Sequence, residues 1–167
     1  MWQQQFHQGV KRSMNEKYMN IVFDSVRTGI INGQSPFAAC IVKDDEVIAC
    51  SYNSVFRERN ILAHAEMNVI REATQKLDTM WLEGAAIYCS CEPCPMCFSA
   101  CHWAKISTIV YSTRISDSKL YGFNELLVSN KQMISLSHSD VHLYKDVLRE
   151  EGLQLFEEWK EFHLKQK

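Results

Sequence analysis

Two short stretches of this chain carry side chains able to do chemistry together. One is Leu62-Ala63-His64-Ala65-Glu66 and the other is Cys91-Glu92-Pro93-Cys94-Pro95-Met96-Cys97. His64, Cys94 and Cys97 supply the nitrogen and sulfur donors that zinc prefers, and Glu66 is a carboxylate the metal does not need. Zinc held by three protein ligands keeps an open position, where it lowers the pKa of a bound water and makes it a nucleophile. A carboxylate beside that water suits general acid/base work. A closed structural site is the competing reading, because Cys91 stands three residues before Cys94 and Cys101 four after Cys97. It leaves His64 and Glu66 unexplained, and Pro93 is expected to leave Cys91 on the strand side of a helix start.

These residues need helices to present them. Val69, Ile70, Ala73 and Leu77 recur at helical spacing and predict a helix over about 61–77, with His64 and Glu66 in its first turn. Two residues apart, they would diverge along a helix flank. At a helix N-terminus both can face whatever lies beyond the helix end. A further helix is predicted over 94–104, with Pro93 at or near its first turn. Cys94 and Cys97 then share one face, and the unpaired N–H groups and helix dipole there favour their thiolates.

Around these lie the elements that must hold them. Met14, Tyr18, Ile21, Val22, Ser25, Val26 and Ile30 predict a first helix over about 10–32, capped by Gly33. Runs 37–43 and 46–52, separated by Asp44-Asp45, predict a β-hairpin, with Cys40 and Cys50 as small buried apolar residues. Strands are expected over 85–89 and 106–111. Residues 117–130 read as short helical or irregular structure around Gly122-Phe123, and 132–140 as a polar connection. A short strand near 141–144 and an amphipathic helix over 148–164 close the chain, with Gly152 blurring the start of that helix. Alternating strands and single helices define an α/β fold, a mixed sheet covered on both faces. Such sheets bind ligands at helix N-termini beyond the strand ends.

Composition narrows the function. The chain has 167 residues, is 46% hydrophobic and 23% charged, and carries a net charge of −2. Nucleic-acid binders commonly carry a basic surplus, so a long RNA or DNA substrate is disfavoured. No run approaches the ~20 apolar residues of a membrane span, and the polar start offers no signal-peptide core. A cytoplasmic location is expected. The seven cysteines, an odd number, then read as thiols and metal ligands rather than a disulfide framework.

His64-Ala65-Glu66 with Pro93-Cys94-Pro95-Met96-Cys97 resembles the signature of the zinc-dependent nucleobase and nucleoside deaminases, in which the Glu is an acid/base and not a ligand. The finer resemblance, over about 14–165, is to the guanine deaminases of that superfamily. It is carried by Pro36-Phe37-Ala38-Ala39, Ser90 to Cys97, His102-Trp103-Ala104, Gly122-Phe123-Asn124-Glu125 and Phe156-x-x-Trp159-x-x-Phe162. The resemblance implies a three-layer α/β/α cytidine-deaminase-like fold, with residues 1–167 as one domain. It implies zinc on His64, Cys94 and Cys97, with Glu66 as proton shuttle and zinc-bound hydroxide as nucleophile. The reaction would be hydrolysis of a purine, guanine to xanthine plus ammonia. Phe37 would stack on the base, Asn53 bond its edge, Ala65 and Trp103 help line the pocket, and Glu125 bind the ring and assist proton transfer. A homodimer is also implied, in which residues 148–167 cross to cover the partner's site; packing on their own domain is the alternative.

Ala38 stands where these enzymes have Gly, Asn60-Ile61-Leu62 where Asp-Pro-Thr is common, and Asn124 where a first acid is usual. The chain ends Gln166-Lys167, without a terminal aromatic. These departures bear on the choice of ring, so guanosine, cytosine, triazine and tRNA adenosine deamination remain open. From another class, a non-catalytic zinc-bound interaction module remains, opposed by the intact Glu66 and ligand set.

Overall fold

The computed structural model describes residues 2–165, and side chains from residue 16 onward. The expectations for the Met14 side chain and for the Gln166-Lys167 end lie outside the described residues. The sheet has five strands: β1 (Ala38–Lys43), β2 (Glu46–Tyr52), β3 (Ala86–Cys91), β4 (Thr108–Thr113) and β5 (His142–Tyr144). Their spatial order is β2-β1-β3-β4-β5. β1 is antiparallel to β2 and β3, whereas β3, β4 and β5 run parallel. The helices are α1 (Trp2–Ile31), α2 (Val55–Glu58), α3 (Ala65–Lys76), α4 (Pro95–Trp103), α5 (Ile115–Leu120), α6 (Asn130–Ser137) and α7 (Arg149–Lys165).

Strand alternation builds two cores. Ala39 and Ile41 of β1, Ile87 and Cys89 of β3, and Ile109 and Tyr111 of β4 meet α3 and α4 through Val69, Ala73, Phe98 and Cys101. On the opposite face Ala38, Cys40, Val42, Tyr88 and Val110 meet Tyr18, Met19, Val22, Phe23, Val26 and Ile30 of α1 and Leu155 of α7. The expected three-layer α/β/α arrangement is present. Gly33, at φ +72°, donates its N–H to Ile30 O and ends α1 as anticipated.

Four local expectations are corrected. Cys40 and Cys50 form a disulfide and are not free thiols. A regular two-residue hairpin turning at Asp44-Asp45, both with positive φ, would set Cys40 opposite Ala49. A bulge between Ile41 and Val42 shifts the register by one and sets Cys40 opposite Cys50. Pro95, not Pro93, occupies the first position of α4, with Cys94 as its N-cap. The supposed polar connection contains α6, begun by a capping box in which the Ser129 side chain accepts from Gln132 N and the Gln132 side chain accepts from Ser129 N. Gly152 lies inside α7, where a Cβ would collide with Ser112 of β4; it is there to let helix and strand approach.

Within the chain α7 lies against α1 and β4 of its own domain. Arg149 bonds Asp117 at 2.6 Å and Arg27 bonds Glu158 at 3.1 Å. Among the described residues no helix is long and apolar enough to cross a membrane.

Candidate active site

β2 and β3 end on the same edge of the sheet, and α3 and α4 begin just beyond it. His64 is the N-cap of α3 and Cys94 the N-cap of α4. Neither side chain is taken up as a helix cap, and both point at a shared target. The loop before α3 is tied down by Asn68, whose Nδ2 donates to Ser54 Oγ at 2.9 Å and to Tyr52 O at 3.2 Å. Ser54 N donates to Ala63 O at 2.9 Å, which closes the loop one residue before His64.

The donor atoms of His64, Cys94 and Cys97 all lie within 4.8 Å of one another. Among the described residues no other group of three or more His, Cys, Asp or Glu is so disposed. The closed four-cysteine alternative is not built: Cys91 ends β3, and Cys101 sits in the sheet–helix core, where burial pushes its thiol well up. Both cysteine sulfurs approach His64 Nδ1, at 3.8 Å from Cys94 and 3.6 Å from Cys97. The Cys94 sulfur is pulled down to about 4, first by a hydrogen bond from the Cys97 thiol, which is raised in turn by giving that bond. One imidazole and two sulfurs, preset at this spacing, fit zinc and leave a coordination position free.

Glu66 is 9% exposed and stands two residues into α3. Burial raises its carboxyl to about 7, opposed by the His64 imidazole. A divalent cation on the neighbouring donors would draw that value down. A carboxyl whose proton is held this loosely near neutrality can both take and return one.

Glu66 opens onto a cavity of about 180 Å³ lined by Phe37, Asn53, His64, Cys94, Phe123 and Glu125, with Ser35, Val55, Cys91, Glu92 and Asn124 completing the wall. Phe37 and Asn53 extend the β1–β2 ladder by one rung, with Asn53 N donating to Phe37 O at 2.8 Å. Asn53 Oδ1 accepts from Val55 N at 3.1 Å, which leaves its amide nitrogen as the donor for a ligand. Glu125 accepts a 2.7 Å bond from Ser118 Oγ. Phe37 meets Phe123 edge-on at 4.8 Å, and Phe123 meets Trp159 of α7 at 4.9 Å, so an aromatic stack runs from the cavity to the last helix.

Two expected pocket residues lie elsewhere. Trp103 is 77% exposed. It ends α4, about 13 Å along the helix from the cysteine end at 1.5 Å per residue, too far to wall the cavity. The Ala65 methyl is buried in the core against α4 and the sheet rather than lining the cavity.

Sequence reasoning also passed over the supports of the metal loop. Glu92 is 7% exposed; its carboxylate accepts from Asn130 N at 2.8 Å, Ile115 N at 3.3 Å and Tyr111 OH at 3.4 Å. Asn130, fully buried, donates from Nδ2 to Pro93 O at 2.6 Å. The two together fasten the segment before Cys94 to β4, α5 and α6. Only the Ser129/Gln132 capping box hinted at this. Asn130→Ala would leave the Pro93 carbonyl buried without its donor, and should cost about 1–3 kcal/mol of stability in urea unfolding. Its zinc should also leave faster on chelation.

The sheet order, the two helix starts and the donor set define the class, a zinc-dependent aminohydrolase. The sequence profile of the cytidine and deoxycytidylate deaminase zinc-binding region matches residues 12–113, and the chain belongs to that family. The guanine deaminase of Bacillus subtilis is 31% identical over 147 residues, 88% of this chain and 92% of that protein. A solved structure of a guanine deaminase from Nitrosomonas europaea superposes with a TM-score of 0.80 at 29% identity, covering 87% of this chain and 84% of that one. The tRNA-specific adenosine deaminase of Aquifex aeolicus is 35% identical over 97 residues, 58% of this chain and 64% of that protein.

Proposed function

We propose that this enzyme hydrolyses guanine to xanthine and ammonia. The observation that carries the reading is the cavity. It is about 180 Å³ and sets a ring (Phe37), an amide donor (Asn53) and an acceptor-only carboxylate (Glu125) around the opening to Glu66. Guanine offers a flat face, a carbonyl and adjacent N–H donors, which match those three groups. The likeness to guanine deaminases over nearly the whole chain supports the same choice.

His64, Cys94 and Cys97 would hold the zinc, which when bound supplies a Lewis acid that makes water easier to deprotonate. Phe37 holds the ring flat, and Asn53 and Glu125 fix its edge so that the amino-bearing carbon faces Glu66. Glu66 takes a proton as the water oxygen bonds to that carbon and passes it to the ring nitrogen. It then carries the remaining water proton to the amino group, whose C–N bond breaks. One guanine and one water give one xanthine and one ammonia, and Glu66 ends as it began.

Deamination of adenosine in tRNA is the second reading, favoured by the Aquifex relative. It needs a basic face, and the net charge of −2 offers no general attraction to a polyanion. Ammonia release from a panel of guanine, guanosine, cytosine, a triazine and a tRNA should single out guanine. Preference for the tRNA would replace this reading with the second.

The reading includes a cytoplasmic enzyme, which reduced Cys94 and Cys97 as metal ligands favour and the Cys40–Cys50 disulfide opposes. It also includes a homodimer, supported by apolar side chains left in solvent, Trp103 at 77% and Leu136 at 80% exposed. An exchanged α7 would make the same Arg149–Asp117 and Trp159–Phe123 contacts with the partner's copies, as domain swapping requires. Removal of residues 153–167 takes away Phe156 and Trp159, which back Phe37 and Phe123. It should raise KM for guanine at least about tenfold. A truncated protein with the parent's sedimentation and full activity would exclude both a dimer role and a pocket role for α7.

A further inference from the structure

The segment 121–129, which carries Glu125 to the cavity, contains neither helix nor strand. A glutamate on such a segment has many rotamers open to it, and each ligand bound would have to immobilise it. One contact removes that freedom. Ser118 Oγ donates to Glu125 Oε1 at 2.7 Å, and Ser118 is 0% exposed. The Ser118 carbonyl meanwhile accepts from Tyr121 N at 3.1 Å and Phe123 N at 3.4 Å. The same residue therefore shapes the turn and aims the carboxylate.

Ser118 is itself held still. Its neighbour Asp117 accepts from Arg114 N at 2.9 Å and from the Arg149 guanidinium of α7 at 2.6 Å. A serine hydroxyl has one proton to give. Given to Oε1, it fixes the carboxylate plane and leaves Oε2 to accept from a ligand N–H.

We propose that Ser118 is a positioning residue for deamination, acting through Glu125 by presetting the carboxylate that grips the base. The proposal rests on the reading of Glu125 as the base-binding carboxylate. It predicts that Ser118 matters only while Glu125 is present.

The test is a double-mutant cycle on the zinc-loaded full chain, using the base the wild-type enzyme turns over fastest, guanine on the present reading. Ser118→Ala should lower kcat/KM about tenfold, chiefly through KM, and Glu125→Ala about a hundredfold. The double variant should be no worse than Glu125→Ala alone. A hydroxyl that only stabilised the turn would lower the melting temperature, with kcat and KM of the folded enzyme unchanged, or with losses that multiply in the double variant. Either outcome overturns the proposal. Ser118→Cys keeps the size with a weaker donor and should fall between Ser and Ala, which preserves the test if Ser118→Ala folds poorly. An unchanged kcat/KM in Glu125→Ala would refute the role of Glu125, and with it the basis for Ser118. A loss in Glu125→Ala with none in Ser118→Ala refutes Ser118 alone.

Discussion

Glu66→Gln should lower turnover of guanine by about 10²- to 10⁴-fold while zinc stays bound in full, the range expected for loss of a positioned acid/base. Gln keeps the shape and the hydrogen-bonding reach of Glu but cannot carry the proton. The three donor atoms that converge on one point are those of His64, Cys94 and Cys97, so the metal does not depend on Glu66. The folded protein should not suffer either. A carboxyl raised to about 7 by burial is one whose charged form the fold disfavours. The sign follows from linkage: folding favours the protonated carboxyl, so this group costs stability as pH rises from its ordinary range toward 7. Replacing it with a neutral amide removes that cost in the metal-free protein, and the melting temperature there should hold or rise at neutral pH. Steady-state kinetics, metal analysis and thermal melts on one preparation check all three parts. Substantial residual turnover would show that another group moves the proton.

Cys94→Ala should abolish activity by a different route, through loss of the metal. Cys94 is the N-cap of α4, but its side chain makes no capping bond, so the substitution removes little from the helix itself. What it removes is the most acidic donor of the set, a thiol held at about 4 beside Cys97 and His64. Two donors remain where zinc needs three from the protein and a free position. Zinc content should fall toward zero after dialysis. A bound ion stabilises only the folded state, so at a thousand times its Kd it adds about 4 kcal/mol. The wild-type melting temperature should therefore drop on chelation, and that of Cys94→Ala should not respond. Full zinc occupancy in Cys94→Ala would refute the ligand assignment. The contrast with Glu66→Gln separates the metal's role from the proton carrier's.

The metal site was legible in the sequence because its parts are local. His-x-Glu and Cys-x-x-Cys are short spacings, and helical periodicity after each indicates which helix end presents them. The alternation of strands and helices likewise announced the three layers. What stayed hidden depends on register or on contacts between distant segments. The Cys40–Cys50 disulfide follows from a bulge at Ile41/Val42, which no composition signals. Trp103 occupies a position that resembles a pocket residue, but its place at the far end of α4 turns it to solvent. α6 buries little beyond Asn130, Met133 and Ile134, so its periodicity is faint, and its capping box was the readable sign. Glu92, Asn130 and Ser118 look like ordinary polar residues until the fold brings them to the Cys94 loop and to Glu125.

The central claim is that this site removes the amino group of guanine by zinc-assisted hydrolysis. Purified protein, zinc-loaded and chelated in parallel, should be incubated with guanine while xanthine and ammonia are both quantified. The account predicts equal amounts of the two products from the zinc form, none from the chelated form, and recovery when zinc is restored. Guanine left intact by the zinc-loaded enzyme, or equal turnover with and without the metal, would contradict it.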